Sequence, residues 1–269
     1  MKYLFSDWDN IKKNLLNKML FVFLDYDGTL SAIRNYPHLA GLSLKNKLLL
    51  RKLKENPHCR LAIISGRSLE NIKKIVGLKK IIYAGNHGLE IHGPKAKLES
   101  QVMPRLKLIM RYIAEEMREV LSGFKGVLVE DKGLTLSLHY RMSSKNNIPK
   151  IKTLFKRIIH PYIVRKKIKF NMGKKVYEIK PMMKWDKGSA VNWILAMQDY
   201  GAIQADIMPI YIGDDATDED AFAALRGRGI TVFVGNKKKS KARYYLKNTN
   251  EVTDFLARML DLIKQSNYG

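Results

Sequence analysis

Residues 19–30 read Met19-Leu20-Phe21-Val22-Phe23-Leu24-Asp25-Tyr26-Asp27-Gly28-Thr29-Leu30, an apolar run that stops at two carboxylates and a glycine. Aliphatic and aromatic residues without polar alternation fit a strand buried on both faces, the mark of a parallel sheet. If strand spacing continued, Asp25 and Asp27 would share one side, while Gly28 permits a turn that brings backbone N–H groups near an anion. Two close carboxylates repel each other and any phosphate, so together they make sense around a divalent cation.

Four further runs, 61–64, 80–84, 209–212 and 230–234, have the same form, each ending in a polar or glycine-rich cluster. Segments 44–55, 68–76, 187–200, 217–225 and 252–264 carry helix-like apolar spacing and strong helix formers. Strand alternating with helix predicts an α/β fold, a doubly wound, Rossmann-like parallel sheet whose ligands bind at the carboxyl ends of its strands. The middle of the chain breaks this pattern: a helix to Leu121, strands at 127–130 and 134–140, a helix after Pro149 and two short strands up to Ile179. Thr135-Leu136-Ser137-Leu138-His139-Tyr140 alternates, which predicts a sheet with one solvated face. We therefore expect a core of residues 1–95 and 180–269 and a smaller inserted α+β domain, 96–179, large enough for its own apolar centre.

The 269 residues include 49 Lys+Arg against 25 Asp+Glu, a net charge of +24, with 46% hydrophobic and 28% charged residues. This is globular composition and excludes a disordered tail protein, a collagen-like repeat or a coiled-coil rod. The positive charge favours nucleic acid, anionic lipid or phosphorylated metabolites without choosing among them. It is spread along the chain rather than held in one tail. Cys59 is the single cysteine, so no internal disulfide and no cysteine cluster is expected. Asp7 and Asp9 interrupt the place of a signal peptide's apolar stretch, and 19–24 is too short to span a bilayer. A soluble, cytoplasmic monomer without membrane partners is the expectation.

A second acidic cluster, Gly213-Asp214-Asp215-Ala216-Thr217-Asp218-Glu219-Asp220, follows the strand at 209–212. Oxygen-only donors suit a hard cation, and Mg²⁺ is preferred over Zn²⁺ because no His or Cys stands with them. Asp218, Glu219 and Asp220 are equally explained as acids in a helix's first turn, whereas Asp214 and Asp215 at a strand end are not. Ser65, at the tail of 61–64, and Lys187, at a helix start, offer a hydroxyl and an ammonium to phosphate oxygens, although Ser65 also suits a turn. Two acids, a hydroxyl, a lysine and an acid cluster thus arrive at successive sheet-associated positions.

In this order the residues resemble the four motifs of the haloacid dehalogenase superfamily of phosphotransferases. The resemblance implies a hydrolase core in which Asp25 is the nucleophile and Asp27 the general acid and base. It implies that Ser65 and Lys187 hold the phosphoryl oxygens, and that Mg²⁺ is bound by Asp25, the Asp27 carbonyl and Asp214, with Asp215 and Asp218 acting through waters. The insert's position resembles the large cap of that superfamily's sugar phosphatases. Ser65-Gly66-Arg67, Gly85-Asn86-His87-Gly88-Leu89-Glu90 and the strings at 129–141, 175–181 and 185–191 are similar to the trehalose-6-phosphate phosphatase family. That resemblance implies hydrolysis of a small sugar phosphate, with Arg67, Asn86, His87, Gly88 and Glu90 of the core and Glu130, Lys132, His139, Arg141 and Glu178 of the cap contacting substrate. Lys180 departs from the family, which commonly carries arginine there; charge is kept but a planar bidentate donor is lost.

Three rivals stand beside this reading. Sucrose 6-phosphate or mannosyl-3-phosphoglycerate would need only a different cap. A nucleic-acid-directed protein would use 165–169 and 237–243 as basic patches, but no nucleic-acid motif is present and no such partner is expected. A regulatory subunit would have no need of both Asp25 and Asp27. Among the aromatics, Trp185 is set aside as a stacking residue, Trp193 is expected in a helix core, and Tyr244 and Tyr245 at a C-terminal turn.

Overall fold

The computed structural model describes residues 1–33, 40–94, 96–98, 103–182, 185–199, 207–236 and 239–265. Tyr200, Lys237 and Lys238, which belong to segments named above, lie outside these. The chain runs through β1 (Lys2–Tyr3), α1 (Trp8–Leu15), β2 (Met19–Leu24), α2 (Leu44–Glu55), β3 (Cys59–Ile64), α3 (Leu69–Val76), β4 (Ile82–Gly85), β5 (Glu90–Gly93) and β6 (Ala96–Leu98). The insert follows with α4 (Met103–Val120), β7 (Leu128–Asp131), β8 (Leu136–His139), α5 (Ile148–Val164), β9 (Ile168–Gly173) and β10 (Val176–Pro181). The chain then returns through α6 (Lys187–Asp199), β11 (Ile207–Gly213), α7 (Asp218–Ala224), β12 (Ile230–Val234), β13 (Tyr244–Leu246) and α8 (Thr249–Gln265).

Two compact units result, Met1–Leu98 with Trp185–Gly269, and Glu99–Lys184. The first holds a nine-stranded sheet in the order β1-β13-β12-β11-β2-β3-β4-β5-β6. From β1 to β4 every pairing is parallel. Each central strand divides its residues between two apolar layers, as a period of two requires. Leu20, Val22 and Leu24 of β2 join α1, α2 and α8 residues on one face, while Phe21 and Phe23 meet α6 and α7 on the other. The fold is thus the doubly wound α/β sheet that the alternation of runs and helices predicts.

The differences have local causes. Residues 80–84 do not start their strand until Ile82, because Lys80 stands in a left-handed turn (φ +59). Tyr244 and Tyr245 form β13 rather than a turn, and the Tyr244 hydroxyl donates to Asp7 Oδ2 (2.8 Å). β5 and β6 extend the sheet antiparallel beyond β4, so core pairing passes residue 95. Likewise Lys180 and Pro181 pair with Lys169 and Ile168 in the second unit, beyond the expected boundary at 179. Among the described residues no helix is long and apolar enough to cross a membrane.

The second unit packs α4 and α5 on one face of an antiparallel sheet, β7-β8-β10-β9. Leu136 and Leu138 join that apolar layer with Tyr177, whose ring stacks on Phe155 at 4.1 Å between centroids. The alternate positions form the opposite face: Ser137 is paired with Glu130 on one side and Glu178 on the other.

Candidate active site

The topological switch falls between β2 and β11. From β2 the sheet grows one way through β3 and β4, and β11 and β12 lie on the other side, which opens a crevice at the carboxyl ends of the two adjacent strands. Asp25 follows β2 there and Asp214 follows β11, tied together by the Asp25 N–H donating to the Ile212 carbonyl (2.9 Å). Carboxylate oxygens of Asp25, Asp214 and Asp218 lie within 4.8 Å of one another. Gly28 (φ +87) serves the cluster by lacking a side chain: a Cβ there would stand 2.0 Å from Asp214 Oδ2. The Gly28 N–H itself is spent on the Ser31 carbonyl (2.7 Å).

Lys187 enters this cluster from the first turn of α6. The preceding Asp186 caps the helix, its Oδ1 accepting from the Ser189 N–H (2.7 Å) and hydroxyl (2.9 Å). Lys187 is 2% exposed, and its ammonium lies 2.7 Å from Asp218 Oδ1 and 3.1 Å from Asp25 Oδ1. Burial would lower its pKa, but Asp218 and Asp25 outweigh burial and hold it well above the usual lysine value. Burial, opposed by Lys187 and reinforced by Asp218 and Asp214, raises Asp25 well above the carboxylate range. Asp214 is pushed up to about 7 by burial and by Asp218 and Asp215. One lysine does not neutralise so many acids, and the oxygen-only donor set of Asp25 and Asp214 fits a hard divalent cation.

Resemblance implies that Asp218 meets the metal through water, and the structure adds a positioning part. Asp218 Oδ1 accepts from Lys187 and from the Tyr211 hydroxyl (2.7 Å), and its Oδ2 accepts from the N–H groups of Asp214 and Asp215 (2.9 Å each). Four donors saturate a carboxylate, so Asp218 positions Lys187 and the 214–215 loop. Asp215 caps that loop, its Oδ1 accepting from the Thr217 N–H and hydroxyl (2.7 Å each). Tyr211 is a functional residue whose one signal in the sequence is a phenol in a buried aliphatic run, since its hydroxyl must find a partner.

β2 stops at Leu24, so Asp27 does not join the cluster. Its two oxygens instead accept from Arg67 Nε and Nη2, both at 2.7 Å. Resemblance implies Arg67 on the substrate; in the structure its third nitrogen, Nη1, donates to Asn71 (3.1 Å), and the guanidinium lies 5.2 Å from the Tyr26 ring centre. Ser65 is buried at the end of β3, and its Oγ accepts from the Arg67 N–H (3.2 Å), the turn role, while retaining an O–H to donate.

Asn86, His87 and Gly88 take three successive left-handed conformations, φ +51, +58 and +92. The turn is locked by Asn86 N–H to Arg67 O (2.7 Å), His87 N–H to Ser65 O (2.9 Å) and Trp185 Nε1 to Gly88 O (2.8 Å). Asn86 Nδ2 donates to Glu90 Oε2 (2.8 Å), so these two residues brace the turn. In the second unit, Glu130 Oε2 receives His139 Nε2 at 3.0 Å and Lys132 Nζ at 3.8 Å, while Lys180 pairs with Glu178 at 3.3 Å. Glu130, Lys132, His139 and Glu178 therefore share the polar face of that sheet. Arg141 stands past the end of β8 and donates to the Lys174 carbonyl (3.1 Å).

Residues 23–250 match the sequence model of the family described as trehalose-phosphatase. Trehalose-phosphate phosphatase B of Arabidopsis thaliana is 32% identical, with 94% of this chain and 70% of that protein aligned. Probable trehalose-phosphate phosphatase E of the same plant is 36% identical over 94% of this chain and 73% of its own length. The crystal structure of a trehalose-6-phosphate phosphatase related protein superposes with a TM-score of 0.78 at 26% identity, covering 91% of this chain and 99% of that one. Motifs, site geometry and relatives agree: the chain belongs to the trehalose-phosphatase family.

Proposed function

We propose that the protein hydrolyses trehalose 6-phosphate to trehalose and phosphate in the cytoplasm, through a phosphorylated Asp25. The observation that carries this is Asp25 at the β2 terminus, 3.1 Å from a buried Lys187, in a chain of this family. An Asp25 oxygen attacks phosphorus and forms a new P–O bond as the bond to the sugar oxygen breaks, and Asp27 gives that oxygen its proton. Water then attacks phosphorus and loses a proton to Asp27, and the Asp25 carboxylate leaves, restoring both residues. Lys187 and the Ser65 hydroxyl hold phosphoryl oxygens throughout. Mg²⁺, held by Asp25, the Asp27 carbonyl and Asp214, would offset the negative charge of carboxylates and phosphoryl group.

On the second unit itself, Glu130 and Glu178 are suited to accept from sugar hydroxyls, and Lys132 and His139 to donate. Glu130→Ala should raise KM for trehalose 6-phosphate about tenfold or more, with little change for p-nitrophenyl phosphate. Equal effects on both esters would place Glu130 outside the sugar site.

A further inference from the structure

A second concave site lies at the opposite end of the sheet. It has a volume of about 540 Å³ and is lined by Lys18, Arg226, Arg228, Lys241 and Arg243, with Ile207 and Met208 among its apolar residues. Lys18 directly precedes β2, Ile207 begins β11, and Ile230 in the same lining begins β12. The groove therefore sits at the amino ends of the strands whose carboxyl ends carry Asp25 and Asp214, about 20 Å away at the rise of an extended strand. It shares no residue with the catalytic cluster.

Five cations line this volume and no carboxylate is among the described lining residues. Glu219, outside this lining, accepts from the Lys241 N–H (2.7 Å). Two of the cations are held in place: Arg228 donates to the Ala224 carbonyl (3.0 Å) and to Asn192, and the Arg243 guanidinium lies 5.3 Å from the Tyr244 ring centre. Arg226 and Lys241 are exposed, and their side chains are bonded to no described residue. Like charges gathered in one concavity raise its potential and favour an anion that spans several of them. The volume suits a small ligand rather than a duplex, which would need an extended basic stripe.

We propose that this groove binds a small polyanion with clustered phosphates, either an inorganic polyphosphate or the triphosphate tail of a nucleotide. Lys241 and Arg243 come from the basic segment 237–243, and the fold brings Lys18 and the Arg226/Arg228 pair to them from two other places in the chain. The site is independent of the trehalose 6-phosphate reading and does not need it.

Calorimetric titration of the full chain with tripolyphosphate, in EDTA to exclude cation-dependent binding at the carboxylates, tests the proposal. The wild type should bind, more weakly as salt rises from 50 to 200 mM, because the contacts are exposed and screened. In Arg226→Gln/Lys241→Gln the affinity should fall about tenfold, with phosphate release at the catalytic centre unchanged. Tighter binding of ATP than of tripolyphosphate, lost in the same variant, would identify the ligand as a nucleotide, and parity would favour the bare phosphate chain. Equal affinity in variant and wild type, or no binding up to millimolar concentration, would overturn the proposal. So would a short RNA that binds more tightly than either and is lost in the variant, since the face would then serve nucleic acid.

Discussion

The pairing of Arg67 with Asp27 shows how much of this site rests on single side chains. A guanidinium 5% exposed meets a carboxylate 40% exposed through two parallel bonds, with Asn71 and the Tyr26 ring fixing the remaining edge and face. Such a fork orients the carboxylate, and an ammonium cannot reproduce it. Arg67→Lys should therefore lower kcat for trehalose 6-phosphate by about 10–100-fold while KM stays within about threefold, since acid–base catalysis contributes about 10²–10⁴. A raised KM with unchanged kcat would show Arg67 meeting substrate instead. The sequence displayed Asp25, Asp27, Ser65, Lys187 and Asp214 because each follows an apolar run or opens a helix. It did not display the Arg67–Asp27 fork, whose partners are 40 residues apart and are joined only when β2 and β3 pair. Tyr211 was hidden because a hydroxyl on a buried strand has an ordinary local explanation, and Asp218 was visible as an acid but its bonds to Lys187 and Tyr211 were not.

At the scale of elements, the turn at 86–88 is the most demanding piece of backbone in the core. Its residues occupy conformations that cost non-glycine side chains free energy, and they persist because Arg67, Ser65 and Trp185 bind the turn from outside. Gly88 combines φ +92 with a close approach to α6, where a Cβ would stand 2.4 Å from Ala190 Cβ. Gly88→Ala should cost about 2–4 kcal/mol, read as a lower urea midpoint, through strain and overpacking together. An unchanged midpoint would mean that the turn relaxes freely. The long elements were legible because buried parallel strands are continuous apolar runs and helices carry a 3.6-residue period. β5, β6 and β13 were not, being only three or four residues long and, in β5 and β6, interrupted by His92 and Lys97.

Over the whole molecule, the core gathers carboxylates that oppose its own stability. Asp214 is pushed up to about 7, chiefly by burial, and Asp218 up to about 6 by burial and Asp215 against the pull of Lys187. Folded groups with raised carboxylate pKa bind protons more tightly than the unfolded chain, so without a cation stability falls as pH rises from about 4 to about 7 and stays low above that. A bound divalent cation offsets this where the acids are ionised. Ten millimolar Mg²⁺ should raise Tm by about 5–10 °C at pH 7.5 and by under about 2 °C at pH 5. Equal shifts at both pH values would place the cation elsewhere.

One assay addresses both the chemistry of Asp25 and the choice of sugar phosphate. Phosphate release with Mg²⁺ would be measured for trehalose 6-phosphate, sucrose 6-phosphate, glucose 6-phosphate and a 3′-phosphorylated oligonucleotide, with Asp25→Asn as the blank. Trehalose 6-phosphate should be strongly preferred, and a folded Asp25→Asn protein should be slower by at least about a thousandfold, because the amide keeps the shape but not the nucleophile. Turnover that survives Asp25→Asn, or no release of phosphate from trehalose 6-phosphate by the wild type, would contradict the proposed function.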